Sequence, residues 1–419
     1  MKRKDVVSQR VGKNILMSAY ACEPGRGSEP GVGWNQVTQM ARFHEIWLVT
    51  RRNNRDRIAN AVRTSPLANV HWIYFDLPRW ARFWKKGKRG VHLYYFLWQV
   101  GAYLVGKRLH RRVRFDLVHH VSFGNYWMPS LLALLPVPFV WGPVGGGETY
   151  PGSFTRLFSL RGRLHESLRN VARRVGECNP LVRLTARKAS IALAATAETG
   201  ARLRRLGCRR IELFSQIGMT LEQIRAVKPA APRMDGVFRL LSIGELLQLK
   251  GFDFGLRAFC RFQQEHPGSE YCLIGEGPER GNLERLSRVL GISGKVRFEG
   301  ALKRDQVLKR LPSFDVLLHP SFHESGSTVC LEAMNAAVPV ICLDLGGPGL
   351  HVTAETGIKV PAISGEQIVH DMTEALDYLA LNAGIAKQKG QAGRRRVKAL
   401  FSWEAKGERM ARIYESLWK

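Results

Sequence analysis

Short runs of apolar residues, each closed by a polar or glycine-rich turn, recur along the first half of the chain. They are NILMSAY at 14–20, EIWLVT at 45–50, VHWIYFDL at 70–77, FDLVHHVS at 115–122, PFVWG at 138–142 and SIALAAT at 190–196. Their length and content predict β-strands, and the longer amphipathic stretches between most of them predict helices. Strands alternating with helices build a parallel sheet covered on both faces. The pattern then restarts with FRLLSIG (238–244), EYCLIG (270–275), KVRFEG (295–300), VLLHP (316–320) and VPVICLD (338–344), separated by helical segments such as FGLRAFCRFQQEH. Two doubly wound α/β domains follow, residues 1–215 and 216–400, with the linker inside 214–227. The tail at 401–419 has the apolar spacing of a helix.

Length agrees, because 419 residues exceed what one core serves. A hydrophobic content of 45% excludes a disordered chain. Charge adds an asymmetry. Residues 1–215 hold 37 basic and 12 acidic side chains, whereas 216–419 hold 27 and 23. The first half is therefore the side expected to meet an anion, whether nucleic acid, a phospholipid surface or a phosphorylated substrate. The seven cysteines are odd in number and form no CxxC pair, which reads as reduced core cysteines in a cytosolic protein. The charged start has no apolar stretch before the first strand, so no signal peptide is expected.

In doubly wound sheets ligands bind beyond the carboxyl ends of the strands. At four such ends in the second domain the residues are small and loop-forming: Gly244-Glu245-Leu246 leading to Lys250-Gly251, Gly275-Glu276-Gly277-Pro278, SFHESGS at 321–327, and Asp344-Leu345-Gly346-Gly347-Pro348. Within FHESGSTVCLE (322–332) two acids, Glu324 and Glu332, stand eight positions apart around residues with little bulk. TVCLEAMNAA predicts a helix with Ser327 as its N-cap and first-turn amides open to an anion. At about 1.5 Å rise per residue the acids are at most roughly 12 Å apart. That is the extent of a sugar–diphosphate–ribose unit, with one acid at the sugar and the other at the ribose hydroxyls. The competing structural reading makes Glu324 a loop cap and Glu332 a solvated helix residue.

On these residues the chain resembles the retaining GT-B glycosyltransferases of family four, in particular the bacterial branch that builds exopolysaccharides and lipid-linked glycans. The resemblance covers nearly the whole chain. It rests on the Glu324/Glu332 pair running into EAMNAAVPVICLD, on IGEGPER and GELLQLKG, and in the first half on EPGVGW (29–34) and VWGPVGGGE (140–148). It implies two Rossmann-like domains around a cleft and a last helix that crosses back to the first domain.

It also implies residue roles. Glu324 contacts the donor sugar and Glu332 the ribose; Lys250 neutralises the diphosphate, helped by amides around Gly326, Ser327 and Thr328 and by the Gly31-Val32-Gly33 loop. Gly244, Gly275 and Gly277 shape the donor pocket. A histidine facing the donor sugar falls at His119 or His120, and Gly145, Gly146 and Glu148 form a flexible acceptor-side loop with Glu148 an accessible acid. The configuration is retained, the departing phosphate serves as base, and Glu324 positions and stabilises rather than attacks. No metal or cofactor is expected, and no HExxH, DxD or Cys/His spacing offers ligands. Two positions depart from the family: Glu245 stands where arginine is usual, and Ala337 where glycine is usual.

Residues 79–114 hold eleven Lys or Arg and no acid around the apolar run Val91–Val105. That run is too short to cross a bilayer. It fits either an interfacial helix attracted to anionic lipid or a core helix with solvated basic ends. With the arginine-rich stretch 156–174 it suggests an enzyme peripheral to the inner face of the cell membrane, with a glycan or lipid-diphosphate-linked acceptor. Two rival readings remain: a GT-B sugar-nucleotide epimerase, and a nucleic-acid-binding protein using the basic half. The second lacks any RRM, KH or helix-turn-helix signature, so no nucleic-acid partner is expected.

Overall fold

The computed structural model describes residues 12–81, 90–122, 124–149, 154, 160–229 and 235–418. Seven strands form the first sheet: β1 (Asn14–Ala19), β2 (Glu45–Arg51), β3 (Val70–Phe75), β4 (Leu117–Ser122), β5 (Phe139–Val144), β6 (Ile191–Ala194) and β7 (Ile211–Leu213). Their order is β3-β2-β1-β4-β5-β6-β7, all parallel. Six form the second: β8 (Arg239–Ile243), β9 (Glu270–Ile274), β10 (Val296–Phe298), β11 (Val316–His319), β12 (Val340–Leu343) and β13 (Gly357–Val360). Their order is β10-β9-β8-β11-β12-β13, again parallel. Each sheet reverses direction beside its first strand, at β1/β4 and at β8/β11, and a crevice opens at such a point.

Helices cover both faces of each sheet. In the first lobe they are α1 (Ser28–Met40), α2 (Arg55–Thr64), α3 (Val91–Val113), α4 (Leu160–Cys178), α5 (Pro180–Lys188) and α6 (Ala197–Leu206). After α7 (Leu221–Ala226) the second lobe adds α8 (Phe252–Glu265), α9 (Arg280–Val289), α10 (Arg304–Arg310), α11 (Thr328–Asn335), α12 (Gly346–His351), α13 (Gly365–Leu381) and α14 (Ala383–Arg396). Burial on both faces is why the central strands are uninterrupted apolar runs; β4, β5, β6, β11 and β12 are buried along their whole length. Strands β7 and β13 are absent from the sequence reading. Both lie at sheet edges and are short, IEL and GIKV, with half-buried positions, so they carry too little apolar signal to stand out.

The final helix, α15 (Trp403–Glu415), returns to the first lobe. Its Met410, Ile413 and Tyr414 join Ile15, Met17 and Leu48 in one cluster, and Gly407 lets it approach Gln39 of α1. The two crossings between lobes run side by side: Met219 and Trp403 are joined through backbone bonds, with Met219 N–H donating to Phe401 and Trp403 N–H to Met219. Lys406 is buried at this junction, donating to the Ser215 carbonyl and lying 4.1 Å from the centroid of Phe214. Burial there pushes its amine well below the ordinary lysine range.

Helix α3 divides the two readings of the Val91–Val105 run. Tyr94, Tyr95, Trp98 and Ala102 are buried in the first lobe's core, while Leu93, Val100 and Leu104 are exposed. It is thus a core helix that also presents apolar residues outward. Residues 82–89, which hold five of the eleven cations, lie outside the described residues. No described helix is long and apolar enough to cross a membrane. All seven cysteines are free, and five are buried; Cys260 is half-buried, and Cys178, at the end of α4, is exposed rather than in a core.

Candidate active site

The two sheets point their carboxyl ends at a shared cleft, and the residues there can be built up from each strand in turn. After β8 the chain makes a tight turn at Gly244, then a short 3-10 turn that ends in Lys250. After β9, Gly275 packs backbone on backbone: a side chain there would meet the Gly244 carbonyl at 1.8 Å. Gly277 is similarly pressed against Leu246. These glycines lock the two strand-end loops together, which is a packing reason for their identity beside any ligand role. Glu245 points to solvent.

After β11 comes the Glu324 loop. Lys250 Nζ donates to Glu324 Oε1, and His319 Nε2 lies 3.3 Å from Glu324 Oε2. Burial alone would raise this carboxyl's pKa, but His319 and Lys250 together outweigh it and hold the group well below the usual carboxylate range. Glu324 is therefore an anion at any working pH. That suits charge stabilisation and excludes proton donation. Ser327 occupies the N-cap position of α11, but its hydroxyl caps nothing; it is buried and faces His319 Nε2 at 3.3 Å. The α11 amides thus lack a side-chain cap at their N-terminal end. Gly326 and Thr328 line the cleft cavity.

Glu332 is not a solvated helix residue. It is 4% exposed, and Arg304 Nε of α10 donates to its Oε1 at 2.7 Å. Burial raises its pKa, with Arg304 opposing. A buried carboxylate held by one half-exposed arginine is a preformed acceptor for paired hydroxyls.

The first lobe supplies the opposite wall. A cavity of about 410 Å³ lies between the lobes, lined by Glu29 and Val32 of α1, Val121 of β4, Gly145 and Gly146 after β5, and Ser325 and Gly326 of the second lobe. Gly31 and Gly33 lie inside α1, not in a loop. Side chains there would meet the Arg26 carbonyl at 2.0 Å and the Ala21 carbonyl at 2.1 Å, so these glycines seat the helix against the β1 turn. Its first turn reaches the cavity instead, through Ser28 and Glu29. Sequence reasoning passed over Glu29, which accepts from Gly124 N–H at 2.5 Å and whose pKa burial raises. Its place in EPGVGW was the available signal.

Both candidate histidines lie in the interior instead of on the cleft wall. His119 is fully buried, with Nδ1 against the Tyr414 hydroxyl and Nε2 at 2.6 Å from the Gly142 carbonyl; burial lowers its pKa to about 4. His120 Nε2 faces the Tyr95 hydroxyl at 3.2 Å. The reason is strand geometry: both positions of a fully covered strand are core positions.

Glu148 is likewise not an accessible acid. It is buried, and its carboxylate accepts from Gly146 N–H (3.0 Å), Thr196 (2.9 Å), Thr199 (3.2 Å) and, across the cleft, Ser325 (2.8 Å). It works as a latch between lobes. Other ties are Gly346 N–H to Glu198 (2.9 Å), Arg169 to His323 (2.5 Å) and Phe154, whose ring packs against Phe254 and Phe322 of the second lobe. Arg169, Arg173 and Lys250 make His323 costly to protonate; burial first and these charges second lower its pKa to about 3. Three cations thus surround this corner of the cleft, two of them from α4. Among the described residues, metal-capable side chains gather in a trio only at His370, Asp371 and Glu374 on α13, outside the cavity.

Comparison with known proteins agrees with this geometry. Residues 225–392 match the family model described as glycosyl transferases group 1. Over 180 residues the chain is 27% identical to a glycogen synthase of Mycobacterium tuberculosis, covering 43% of this chain and 42% of that protein. Over 178 residues it is 30% identical to the GDP-mannose-dependent monoacylated alpha-(1-6)-phosphatidylinositol monomannoside mannosyltransferase of Corynebacterium glutamicum, covering 41% and 45%. The matched stretch is thus less than half the length of these relatives. The UDP complex of Anabaena HepE superposes with a TM-score of 0.60 at 14% identity, over 97% of this chain and all of that one. The chain therefore has the two-lobed GT-B fold, and residues 225–392 within it match the glycosyl transferases group 1 model.

Proposed function

We propose that this protein is a metal-independent hexosyltransferase that moves a sugar, with retention of configuration, from a nucleotide sugar to a glycan or lipid-diphosphate-linked acceptor in cell-surface polysaccharide synthesis. The observation that carries the reading is the contact of Lys250 with the Glu324 carboxylate beside the uncapped first turn of α11, whose Thr328, with Gly326 just before it, lines the cavity between the lobes, with Glu332 one turn further along. In this reading the diphosphate lies on the α11 amides and Lys250, the ribose on Glu332, and the sugar beside Glu324. The bond from the anomeric carbon to phosphate breaks as the acceptor oxygen bonds the same face. The acceptor's proton passes to the departing phosphate oxygen. Lys250 and the helix end stabilise the charge that builds on that phosphate, while Glu324 stabilises the positive charge on the sugar ring. The names of the relatives support the donor class: one is GDP-mannose-dependent, and HepE was captured with UDP.

The first lobe would receive the acceptor at the cytoplasmic surface of the membrane. Helix α4 exposes Leu168, Val171 and Val175 at helical spacing, and α3 exposes Leu93 and Leu104 with Lys107, Arg108, Arg111 and Arg112. Apolar residues interspersed with cations suit an anionic lipid surface. The test is a thermal-shift panel of UDP-, GDP- and ADP-sugars. A ligand at a hundred times its Kd stabilises the native state by about 2.7 kcal/mol, so one nucleotide class should raise the melting temperature and the others should not. No shift from any class would overturn the reading.

A further inference from the structure

A second cavity lies on the opposite side of the second lobe, at the amino ends of its strands, and the proposed reaction does not use it. It is larger than the cleft cavity, about 1050 Å³, at the upper end of the roughly 300–1,000 Å³ of small-molecule sites. One wall is apolar: Leu221 and Ile224 of α7, Phe314 before β11, and Val338 and Pro339 before β12. The other is one face of α14 and its continuation, where Lys387, Arg394, Arg395 and Lys398 recur at helical spacing, joined by Arg225 from α7. Among the described residues none of these five cations is in an ion pair. Nη1 of Arg394 is shielded from solvent and has no hydrogen-bond acceptor. The acid on the lining, Asp315, already accepts from Arg239 N–H at 2.7 Å.

Unpaired cations along one wall and an apolar opposite wall specify a ligand with both properties. A nucleotide would leave the apolar wall wet, and a neutral lipid would leave the guanidinium of Arg394 without an acceptor. We propose that this cavity is a second binding site, for an anionic amphiphile with a phosphate head on the α14 cations and a single alkyl chain against Phe314 and Val338. The site is connected to the cleft. Helix α11 has Thr328 on the cleft cavity at its first turn, and the residues that follow its last turn, Ala336 to Val338, line this one.

The experiment titrates the full chain with dodecyl phosphate below its micelle concentration, using calorimetry, with dodecanol and inorganic phosphate as separate probes. Saturable one-to-one binding of dodecyl phosphate is expected, with both other probes much weaker. Arg395 and Lys398 are exposed, so Arg395→Glu/Lys398→Glu should fold, and it should weaken binding about tenfold or more. The matched reversal Arg204→Glu/Arg205→Glu on the exposed face of α6 in the first lobe should leave binding unchanged and so controls for the chain's overall positive charge. Equal binding of dodecanol, equal binding of inorganic phosphate, or identical affinity in wild type and the α14 variant would each overturn the proposal. Because the readout is binding at α14, it is independent of the donor panel, and either can fail without the other.

Discussion

The two lobes share a topology and place their switch points alike, beside β1 in one and β8 in the other, yet what fills those points differs. In the second lobe the strand ends carry glycines, open amides and the charged groups Lys250 and Glu324. In the first, the end of β1 is filled by Tyr20, whose ring packs edge-on against Tyr95 and Trp98 at 5.2 and 5.3 Å. Arg51 lies over Tyr20 and Tyr94 at 4.8 and 5.2 Å. The second lobe's switch point thus holds a charged pair beside an uncapped helix end, whereas the first fills the end of β1 with aromatic rings and gives the interlobe cavity its wall through the first turn of α1, Val121 and the Gly145-Gly146 loop. A fixed donor and a variable acceptor would produce this division, and it can be tested from each side.

The largest effect should come from the second lobe's switch point. Lys250→Ala removes the cation assigned to the diphosphate, and transfer should fall about 10²- to 10³-fold, as for loss of one preorganised donor of transition-state charge. Donor-induced thermal shift should vanish with it, and Glu332→Ala should abolish that shift too. Arg111→Glu/Arg112→Glu in the first lobe should do the reverse, leaving transfer to a short soluble acceptor intact while reducing adsorption to anionic vesicles. If both variants lose the same property, the lobes do not divide the work.

Next is the latch between them. Glu148→Ala leaves Thr196, Thr199 and Gly146 N–H without their shared acceptor inside the first lobe and releases Ser325 in the second. Unpaired buried groups cost about 1–3 kcal/mol each, so a net loss on the order of 3 kcal/mol is expected, seen as a lower melting temperature. Glu148→Gln, which keeps an acceptor oxygen, should lose less.

The same contrast explains what was legible in the chain. Doubly wound lobes follow from apolar runs of strand length, and the residues gathered at the cleft end of the second sheet are the small and charged ones that follow its strands in the sequence. The first lobe's site was misread for a physical reason. His119, His120 and Glu148 are polar residues next to strand ends, which resembles a ligand site, but each is buried against a partner remote in sequence: Tyr414, Tyr95 and Ser325. Partners 25 to 295 positions away leave no local pattern. The α14 cavity was invisible for the same reason, since its two walls come from four separate segments.

A smaller effect appears in acid. His119 has a folded pKa of about 4 against about 6.5 unfolded, so between those values the unfolded chain binds the extra proton. Its contribution is complete above pH 6.5 and is lost as pH falls toward 4. At roughly 1.4 kcal/mol per pH unit, going from pH 7 to pH 5 should cost about 2 kcal/mol through this group. His119→Gln cannot titrate, so its stability should depend less on pH over this range by that amount. Because His119 joins β4 to α15, this measures how far the C-terminal helix is tied to the first lobe.

The smallest change runs the other way. Ala337 has φ of +60°, a left-handed conformation that costs a residue with a Cβ roughly 1–2 kcal/mol, and it follows directly on the helix that carries Glu332. Glycine adopts this conformation without that cost. The turn cannot relax easily, because Gly390 of α14 presses against the Ala337 carbonyl, where a Cβ on that glycine would come within 1.9 Å. Ala337→Gly removes the steric cost but adds freedom to the unfolded chain, which takes back about 0.4–1 kcal/mol. The net should be a gain of a few tenths to about 1 kcal/mol in denaturant melts. A loss instead would mean that the Ala337 methyl group contributes packing in the α14 cavity, and the strain assigned to this turn of the second lobe would have to be withdrawn.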